Sequence, residues 1–416
     1  MYFQHFGIVL NKYTWLSNFV ALSSRNYLYL WIGMVLMMTS FQMQMIAQGY
    51  LVYDLTSEAK KLSFVSAASG LPMLVFSLIG GAIADKVNKK KLMQIIQILA
   101  TILTLFLAAT LFIGNGVIPW QYLLWVGLIQ GILWSFNGPA RQALIPYTLD
   151  RKYLSNAVAL MSLGMTAPTL VGPAIAGILY SLIGPQGVYF FVSILTTTAV
   201  IFTSLINVDQ PKIASSQIHV FSDIKDGLIY LWNTKLIRNL MIVGLSFLIL
   251  SGPLHTLLPV IVINVFKKES ETLGLFVSMM GIGSLFGTFV VAFLKQGNRG
   301  LVFLLAALTG GLGVFTLSII GDSVFAYLII ILIGLGNSCV WSLLQVLSMT
   351  NADDKYRGRI MSIFMMTFGL TPLLIIPIGY LVDIYEVQII LTVVGLISIF
   401  IAVFAISTQK LIRKIP

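Results

Sequence analysis

Long apolar stretches separated by short polar loops dominate the chain between residues 27 and 408. A helix that crosses a bilayer needs about 20 mostly apolar residues. Because a backbone in lipid must satisfy its own hydrogen bonds, such stretches form helices. The sequence therefore predicts an all-α membrane protein with twelve spans, at 27–52, 60–84, 92–114, 119–140, 156–183, 186–207, 237–265, 271–294, 300–320, 324–348, 359–382 and 387–408. Tight turns are expected at Gly184 to Gly187 and at Asp383 to Glu386.

The longest polar stretch, 208–236, lies between the sixth and seventh predicted spans. At helical spacing it places four apolar residues on one face, as expected of a helix that lies on a membrane surface. These residues are Phe221, Ile224, Leu228 and Leu231. We predict an N-terminal six-helix bundle over 1–207, a linker with an amphipathic helix over 208–236, and a C-terminal six-helix bundle over 237–416.

The two predicted bundles repeat weakly in sequence. A shift of 203 residues aligns Gly131 with Gly334, Gln142 with Gln345, and Lys152-Tyr153 with Lys355-Tyr356. Two repeated halves with a binding site between them near the middle of the membrane form a transporter architecture. The pattern therefore predicts two pseudo-symmetric bundles with a cavity between them.

Composition agrees with a membrane protein. Hydrophobic residues make up 58% of the chain and charged residues only 9%, against about 25% charged in soluble domains. Of the 25 Lys and Arg residues, 21 fall outside the apolar stretches on one predicted side. Because positive residues remain in the cytoplasm, we expect a cell-membrane protein with both termini cytoplasmic. The net charge of +11 then reflects topology, and no nucleic-acid partner is expected.

Cysteine content limits other chemistry. The single cysteine, Cys339, makes no intrachain disulfide and no multi-cysteine metal site. No cleavable signal peptide is evident, since the N-terminus lacks a short basic and then apolar segment with a small-residue cleavage site. No metal or cofactor is expected.

The loop between the second and third spans carries the most specific motif. Gly81-x-Ile83-Ala84-Asp85-Lys86-x-Asn88-Lys89-Lys90 resembles the G-x-L-A-D-R-x-G-R-R/K signature of the major facilitator superfamily. Further stretches resemble the branch that contains macrolide and siderophore (enterobactin-type) exporters. They are PARQALIP from Pro139, Gly172-Pro173, FSDIKDGLIYLW from Phe221 and RGRIMS from Arg357.

The resemblance implies a conformational latch. In the superfamily the aspartate that matches Asp85 faces the start of helix 11, here near Arg357, when the cavity opens outward. A carboxylate is favoured there by the free N–H groups of the helix. The alternative to a latch role for the basic residues is membrane anchoring, because lysines at a helix end bind anionic lipid. In the second half Val291 stands at the aspartate position. The latch residues are expected to be Gly81, Asp85, Lys86, Lys89, Arg357 and Arg359.

Helices 1, 4, 7 and 10 line the cavity in the superfamily, which makes polar residues within these spans candidates for substrate contact. Intramembrane amides also join helices by hydrogen bonds, so both roles stay open for each residue. His255 is the only His, Asp, Glu, Lys or Arg residue deep in a predicted span, and Gly252-Pro253 before it predicts a broken helix. The substrate-cavity candidates are Gln44, Gln48, Asn137, His255, Asn337 and Gln345.

Proton coupling is implied by the resemblance and not by an evident buried relay. Many proton-coupled drug exporters of the superfamily carry R-x-x-x-G early in helix 4, but here Gly127 occupies the place of the arginine. No acidic residue lies deep in the first span. The candidates for proton coupling are Asp54, Asp85, His255 and Asp383.

These features favour a secondary active exporter of a small amphipathic or hydrophobic compound of the drug, macrolide or siderophore type. Export is expected to proceed by alternating access with proton antiport, with membrane lipid as the surrounding partner. A facilitator or a lysolipid-type flippase on the same fold is the alternative. An enzyme is not expected, because no His, Asp and Glu cluster lies within the spans. A phosphate-binding loop for ATP and a charged ring for a channel are both missing from the sequence.

Overall fold

The computed structural model describes residues 16–208, 220–294, 298–321, 323–353, 356–413 and 415. Within these ranges, only the backbone is described at 16–19, 74, 77–86, 151, 155, 158, 159, 220–226, 357, 358, 362, 365–370 and 372–374. The expected latch residues Gly81, Asp85, Lys86 and Arg357 fall in that set.

Helices form nearly all of the described chain, and no strand occurs within it. In chain order they are α1 Arg25–Thr56, α2 Ala59–Lys86, α3 Lys89–Ile113, α4 Trp120–Leu144, α5 Leu154–Leu205, α6 Val220–Asn233, α7 Lys235–Asn264, α8 Ser270–Phe293, α9 Arg299–Ile320, α10 Val324–Asn351, α11 Arg357–Ile384, α12 Val387–Thr408 and the short α13 Lys410–Arg413. The ends of the long helices lie within four residues of the predicted spans. The all-α prediction is therefore confirmed.

Gly184 divides α5 into two segments. Its backbone has φ 68° and ψ 178°, a conformation that only glycine adopts readily. The fifth and sixth predicted spans are separated at this residue. In the described part of the chain, eight helices are long and apolar enough to cross a membrane. The total of twelve spans stays a prediction.

Asn88 occupies the position of the second glycine in the G-x-L-A-D-R-x-G-R-R/K signature, and its conformation explains why a glycine is not needed there. Its backbone is extended, with φ −66° and ψ 111°, and its side chain accepts a hydrogen bond of 3.0 Å from the Lys91 N–H. Asparagine is a favoured N-cap residue because it satisfies a free N–H of the first turn. Asn88 therefore starts α3 without a left-handed conformation.

The helices form two halves, α1–α5 and α7–α12, which pack on each other through α2 against α11 and α5 against α8. We call the end of the bundle near α6 the linker end and the opposite end the distal end. At the linker end α6 packs on α11, where the rings of Tyr230 and Tyr356 stack with centroids 4.1 Å apart.

Among the described residues, the buried apolar side chains join the two halves at one end of the bundle. The largest hydrophobic cluster contains residues of both halves, including Leu51 and Val52 of α1 and Leu258 of α7, and it lies toward the distal end. At the linker end, each hydrophobic cluster belongs to one half. One cluster contains Tyr27 and Leu144 of the N-terminal half, and another contains Phe303 of the C-terminal half. The described core is therefore continuous at the distal end and divided at the linker end.

Candidate functional site

A central cavity of about 260 Å³ lies between the two halves. Its described walls come from α1, α2 and α4 on one side and from α7, α8 and α11 on the other. Most residues that line the cavity are apolar, and only a few polar side chains border it. The wall residues that matter for its chemistry are Phe41, Gln44, Gln48, Ser66, Ser69, Gln130, Trp134, His255, Thr256, Pro259, Leu273 and Ile375.

Two glutamines form a reciprocal pair on the wall of the N-terminal half. The Nε2 of Gln44 in α1 donates to the Oε1 of Gln130 in α4, and the Nε2 of Gln130 donates to the Oε1 of Gln44. Gln48, one turn along the same face of α1, donates to the carbonyl oxygen of Leu123 at 2.8 Å. All three side chains are nearly buried and border the cavity. The hydrogen bonds therefore hold the amide groups of this wall in one arrangement.

Glycines bring α4 close enough to α2 to form this wall. A Cβ atom on Gly131 would lie 2.2 Å from the carbonyl oxygen of Ser69, and one on Gly127 would lie 2.6 Å from the Ser69 Oγ. Both distances are well inside van der Waals contact. Gln130 lies beside these glycines, so the close approach places its amide opposite Gln44. Gly127 is thus a packing glycine at the contact between α4 and α2.

An aromatic pair lies beside the glutamines. The ring centroids of Phe41 and Trp134 are 4.4 Å apart and the planes are tilted by 59°. Each ring lies about one helical turn from Gln44 or Gln130 in sequence. Such aromatic surfaces provide a large apolar contact area beside the amide groups.

The wall of the C-terminal half carries one titratable group. His255 of α7 borders the cavity, with Thr256 and Pro259 beside it. The predicted broken helix at Gly252-Pro253 is wrong, because α7 continues from Lys235 to Asn264 with Pro253 and Pro259 inside it. Thr371 of α11 lies against Gly252, where a Cβ atom would be 2.2 Å from its Cγ2. The helix is kept continuous within a tightly packed bundle.

Three predicted cavity residues lie elsewhere. Asn137 is 1% exposed, and its Nδ2 has no hydrogen-bond partner within the described residues. Arg141, one turn further along α4, is also buried. Asn337 and Gln345 of α10 do not border the cavity. These three amides are therefore not on its described wall.

Packing explains the position of α10. A Cβ atom on Gly334 would lie 2.1 Å from the carbonyl oxygen of Met280 in α8, and one on Gly283 would lie 2.0 Å from the Ile331 carbonyl oxygen. Ser338 donates to the Ser284 carbonyl oxygen at 2.7 Å. The polar face of α10 is used to join it to α8.

Asp383 closes the distal end. Its Oδ1 accepts a hydrogen bond of 2.6 Å from the Ala59 N–H, and its Oδ2 accepts one of 3.0 Å from the Lys60 N–H. These donors belong to the first turn of α2, while Asp383 lies in the last turn of α11. The carboxylate thus caps a helix of the opposite half, where the helix dipole favours a negative charge.

Further contacts between the halves surround this cap. Asn264 of α7 donates to the Tyr53 hydroxyl of α1 at 2.7 Å. Ser270 of α8 donates to the Gly177 carbonyl oxygen of α5 at 3.1 Å. A Cβ atom on Gly274 would lie 2.4 Å from the Pro173 carbonyl oxygen. The halves therefore touch at backbone distance at this end.

Two other acidic residues lie near the distal end. Asp54, a candidate for proton coupling, is exposed in the last turn of α1. Glu58, in the turn before α2, forms ion pairs with Lys61 at 2.6 Å and with Lys60 at 2.9 Å. Hydrogen bonds from Lys61 and Lys60 hold the pKa of Glu58 below its usual value.

The expected latch at the linker end is described only in part. The side chains of Asp85, Lys86 and Arg357 lie outside the described residues. Lys89 is 3% exposed, and its Nζ lies 5.8 Å from the centroid of the Tyr147 ring within the same half. The Arg359 guanidinium lies 5.5 Å from the Tyr356 ring.

No group of three His, Cys, Asp or Glu residues in the described part of the chain is placed to hold a metal ion. Gln130 and Trp134 are not among the predicted site residues, although both lie on the same helix as Asn137. The signal is present in the sequence, because a glutamine within an apolar span needs a hydrogen-bond partner.

Comparison with known proteins identifies relatives along nearly the whole chain. A family model described as "Transmembrane secretion effector" matches residues 16–414. The staphyloferrin A transporter of Staphylococcus aureus is 26% identical over 89% of this chain and 93% of that protein. The multidrug efflux pump Tap of Mycolicibacterium fortuitum is 24% identical over 81% of this chain and 84% of that protein. Macrolide efflux protein A of Streptococcus pyogenes is 21% identical over 67% of this chain and 69% of that protein.

Solved structures share the fold. A crystal structure of the nucleoside transporter NupG superposes with a TM-score of 0.73 over 92% of this chain and 99% of that chain, at 15% identity. The arrangement of two helical halves around a central cavity is thus a known transporter fold.

Proposed function

The chain belongs to the transmembrane secretion effector family of the major facilitator superfamily, and on that basis we propose that it is a secondary active exporter of small amphipathic or hydrophobic compounds. Its relatives include efflux pumps for several drugs and for macrolides. We place it in the cell membrane with the linker end and both termini in the cytoplasm, because most of its basic residues lie at that end. The distal end then faces outward.

The observation that carries this proposal is the position of the cavity. It lies between the halves, and the halves are joined at the distal end by a shared core and by the Asp383 cap. Within the described residues, the cores at the linker end are separate. This arrangement suits one state of an alternating-access cycle, in which a compound enters from the cytoplasm and leaves after the distal contacts break.

The opposite state needs a contact at the linker end. Asp85 is proposed to cap the start of α11 near Arg357 when the distal end opens. The Asp383 cap supports this proposal, because it joins the last turn of α11 to the first turn of α2. The two helices pack on each other in antiparallel directions. The end of α2 therefore lies on the same side of the bundle as the start of α11. One carboxylate would thus serve each closed end.

Proton antiport is proposed as the energy source. His255 lies on the cavity wall, where its imidazole can exchange a proton with the side to which the cavity opens. Asp383 lies on the contact that must break during opening, and a protonated carboxyl loses the charge that makes it a good cap. Asp54 and Asp85 remain the other candidates. We favour His255 and Asp383, because each has a described connection to the cavity or to its closure.

Transport into proteoliposomes with an imposed pH gradient tests the proposal. Purified protein is reconstituted, and uptake of a panel of radiolabelled amphipathic compounds is measured with and without the gradient. The proposal requires at least one compound to accumulate against its own gradient when protons flow the other way. Accumulation that ignores the pH gradient contradicts proton antiport, and equilibration without accumulation indicates a facilitator.

A further inference from the structure

The two walls of the cavity differ in chemistry. The N-terminal half presents the amides of Gln44, Gln48 and Gln130, while the C-terminal half presents Pro259, Leu273 and Ile375 around His255. A compound in the cavity therefore meets hydrogen-bonding groups on one side and mostly apolar surface on the other.

No Asp, Glu, Lys or Arg borders the cavity among the described residues. The sequence extends this statement to the helix segments that form the walls. Residues 28–53, 62–84, 115–140, 239–266, 272–294 and 360–382 contain no such residue. An ion that enters an apolar site without a partner of opposite charge loses its hydration and gains no compensation. While His255 is neutral, the walls therefore select against both anions and cations.

The glutamine pair sets what an uncharged compound can bind. Each amide has two N–H donors and an oxygen with two lone pairs. The reciprocal bonds use one donor and one lone pair of Gln44 and the same of Gln130. One N–H and one lone pair of each amide remain for a ligand. Because the pair satisfies itself when the cavity is empty, it leaves no strong demand for a charged partner.

The aromatic pair extends this surface. Phe41 and Trp134, with centroids 4.4 Å apart, stand beside the amides on the same half. Aromatic groups of a ligand can pack on them while an acceptor atom reaches the free N–H groups. A cation over the Trp134 ring would gain some attraction, but no carboxylate on the described wall would support it.

We infer that the cavity binds uncharged apolar compounds that carry a hydrogen-bond acceptor. The acceptor lies against the Gln44–Gln130 pair, and the apolar body lies against Pro259, Leu273 and Ile375. This inference rests on the proposed function, because it names the substrate class of the cavity through which export is proposed.

Three probes of similar shape and different charge test it. Triphenylphosphine oxide is uncharged with a strong acceptor, methyltriphenylphosphonium is a cation, and triphenylacetate is an anion. Binding to the purified full-length protein in detergent is measured by isothermal titration calorimetry. We expect the oxide to bind about tenfold or more tightly than either ion, since an unpaired charge in an apolar site outweighs one decade of affinity.

Variants link the preference to the glutamine pair. Gln44→Glu places a carboxylate on the wall, so it should weaken binding of the oxide and strengthen binding of methyltriphenylphosphonium, each by about tenfold. Gln97→Glu is the matched control, because Gln97 is a buried glutamine of α3 that does not border the cavity. It should leave the ratio of the two affinities unchanged. Gln44→Leu, which introduces no charge, should weaken only the oxide.

The inference is overturned if either ion binds as tightly as the oxide, if none of the three probes binds, or if folded Gln44→Glu protein keeps the native ratio. Folding is checked by size-exclusion chromatography and thermal unfolding. The calorimetry needs no membrane or gradient. Selective binding without transport would therefore refute the proposed export and leave the substrate class intact, while transport with the opposite charge preference would refute the class alone.

Discussion

The carboxylate of Asp383 accepts a hydrogen bond of 2.6 Å from the backbone N–H of Ala59, 324 positions earlier in the chain. The bond joins the last turn of α11 to the first turn of α2, and thus one half of the transporter to the other. In the proposed alternating-access cycle this bond forms only while the distal end is closed. It would therefore mark distal closure.

Replacing Asp383 by Asn should favour distal opening. The amide has one oxygen instead of two and carries no charge, so it cannot give Ala59 and Lys60 a separate anionic oxygen each, as the carboxylate does. Loss of a helix cap and of its charge is worth about 1–2 kcal/mol, which corresponds to a several-fold shift in the open population. Spin labels at Val117→Cys and Val324→Cys, on a Cys339→Ala background, report this as a larger share of long distances.

Glu386→Gln is the matched control for this change. Glu386 is an exposed carboxylate in the same turn and makes no side-chain cap bond to α12. It should leave the distance distribution unchanged. Equal distributions for Asp383→Asn and the native protein would show that the cap does not hold the distal end closed.

Gly274→Ala should hinder distal closure by sterics. Its Cβ would lie 2.4 Å from the Pro173 carbonyl oxygen of the other half, and a backbone atom cannot move aside as a side chain can. We expect a transport rate reduced at least several-fold and a shift to the open distances. Gly138→Ala serves as control, because a Cβ there meets nothing within 4 Å; a native-like rate for both variants would contradict the close contact.

The Gln44–Gln130 pair should behave as one unit. Either single Gln→Ala change removes both reciprocal bonds, so the second change should add little. Hydrogen bonds between membrane helices average about 0.6 kcal/mol, and a coupling energy near or above this value is expected. A double-mutant cycle on the free energy of unfolding in detergent measures it. Strictly additive effects would mean that the two amides do not interact.

Replacing His255 should abolish the coupling of transport to the proton gradient and leave substrate movement across the membrane intact. His255→Gln keeps a polar side chain on the cavity wall but cannot take up a proton. If the imidazole carries the proton, the variant still equilibrates substrate across proteoliposome membranes but no longer accumulates it under a pH gradient. Gradient-driven accumulation at the native level would assign the proton to another group, and Asp383→Asn is then the next variant to assay.

The sequence predicts helices well because lipid leaves few alternatives. Apolar length places the span boundaries to within four residues, and Gly184 marks its turn by being glycine next to proline. Side-chain direction is harder to predict. Gln44, Gln48 and His255 border the cavity, whereas Asn337 and Gln345 do not, because glycine contacts between α8 and α10 set the rotation of α10.

Contacts across the halves lie beyond sequence reasoning. Asp383 is a sequence-based candidate for proton coupling, yet its bonds to Ala59 and Lys60 depend on how two helices meet that are distant in the chain. The position in the second half that matches Asp85 holds Val291. The distal carboxylate lies instead in the last turn of α11, against the start of α2.

Side-resolved labelling of the cavity tests the alternating-access account most directly. Ser66→Cys on the Cys339→Ala background places a single thiol on the cavity wall. A membrane-impermeant maleimide is added to right-side-out or inverted membrane vesicles. The account predicts rapid labelling from the linker end and protection from the distal end, with distal labelling appearing in Asp383→Asn. Equal labelling from both ends in the native protein would contradict the account that the Asp383 cap and the shared core keep the cavity closed toward the distal end.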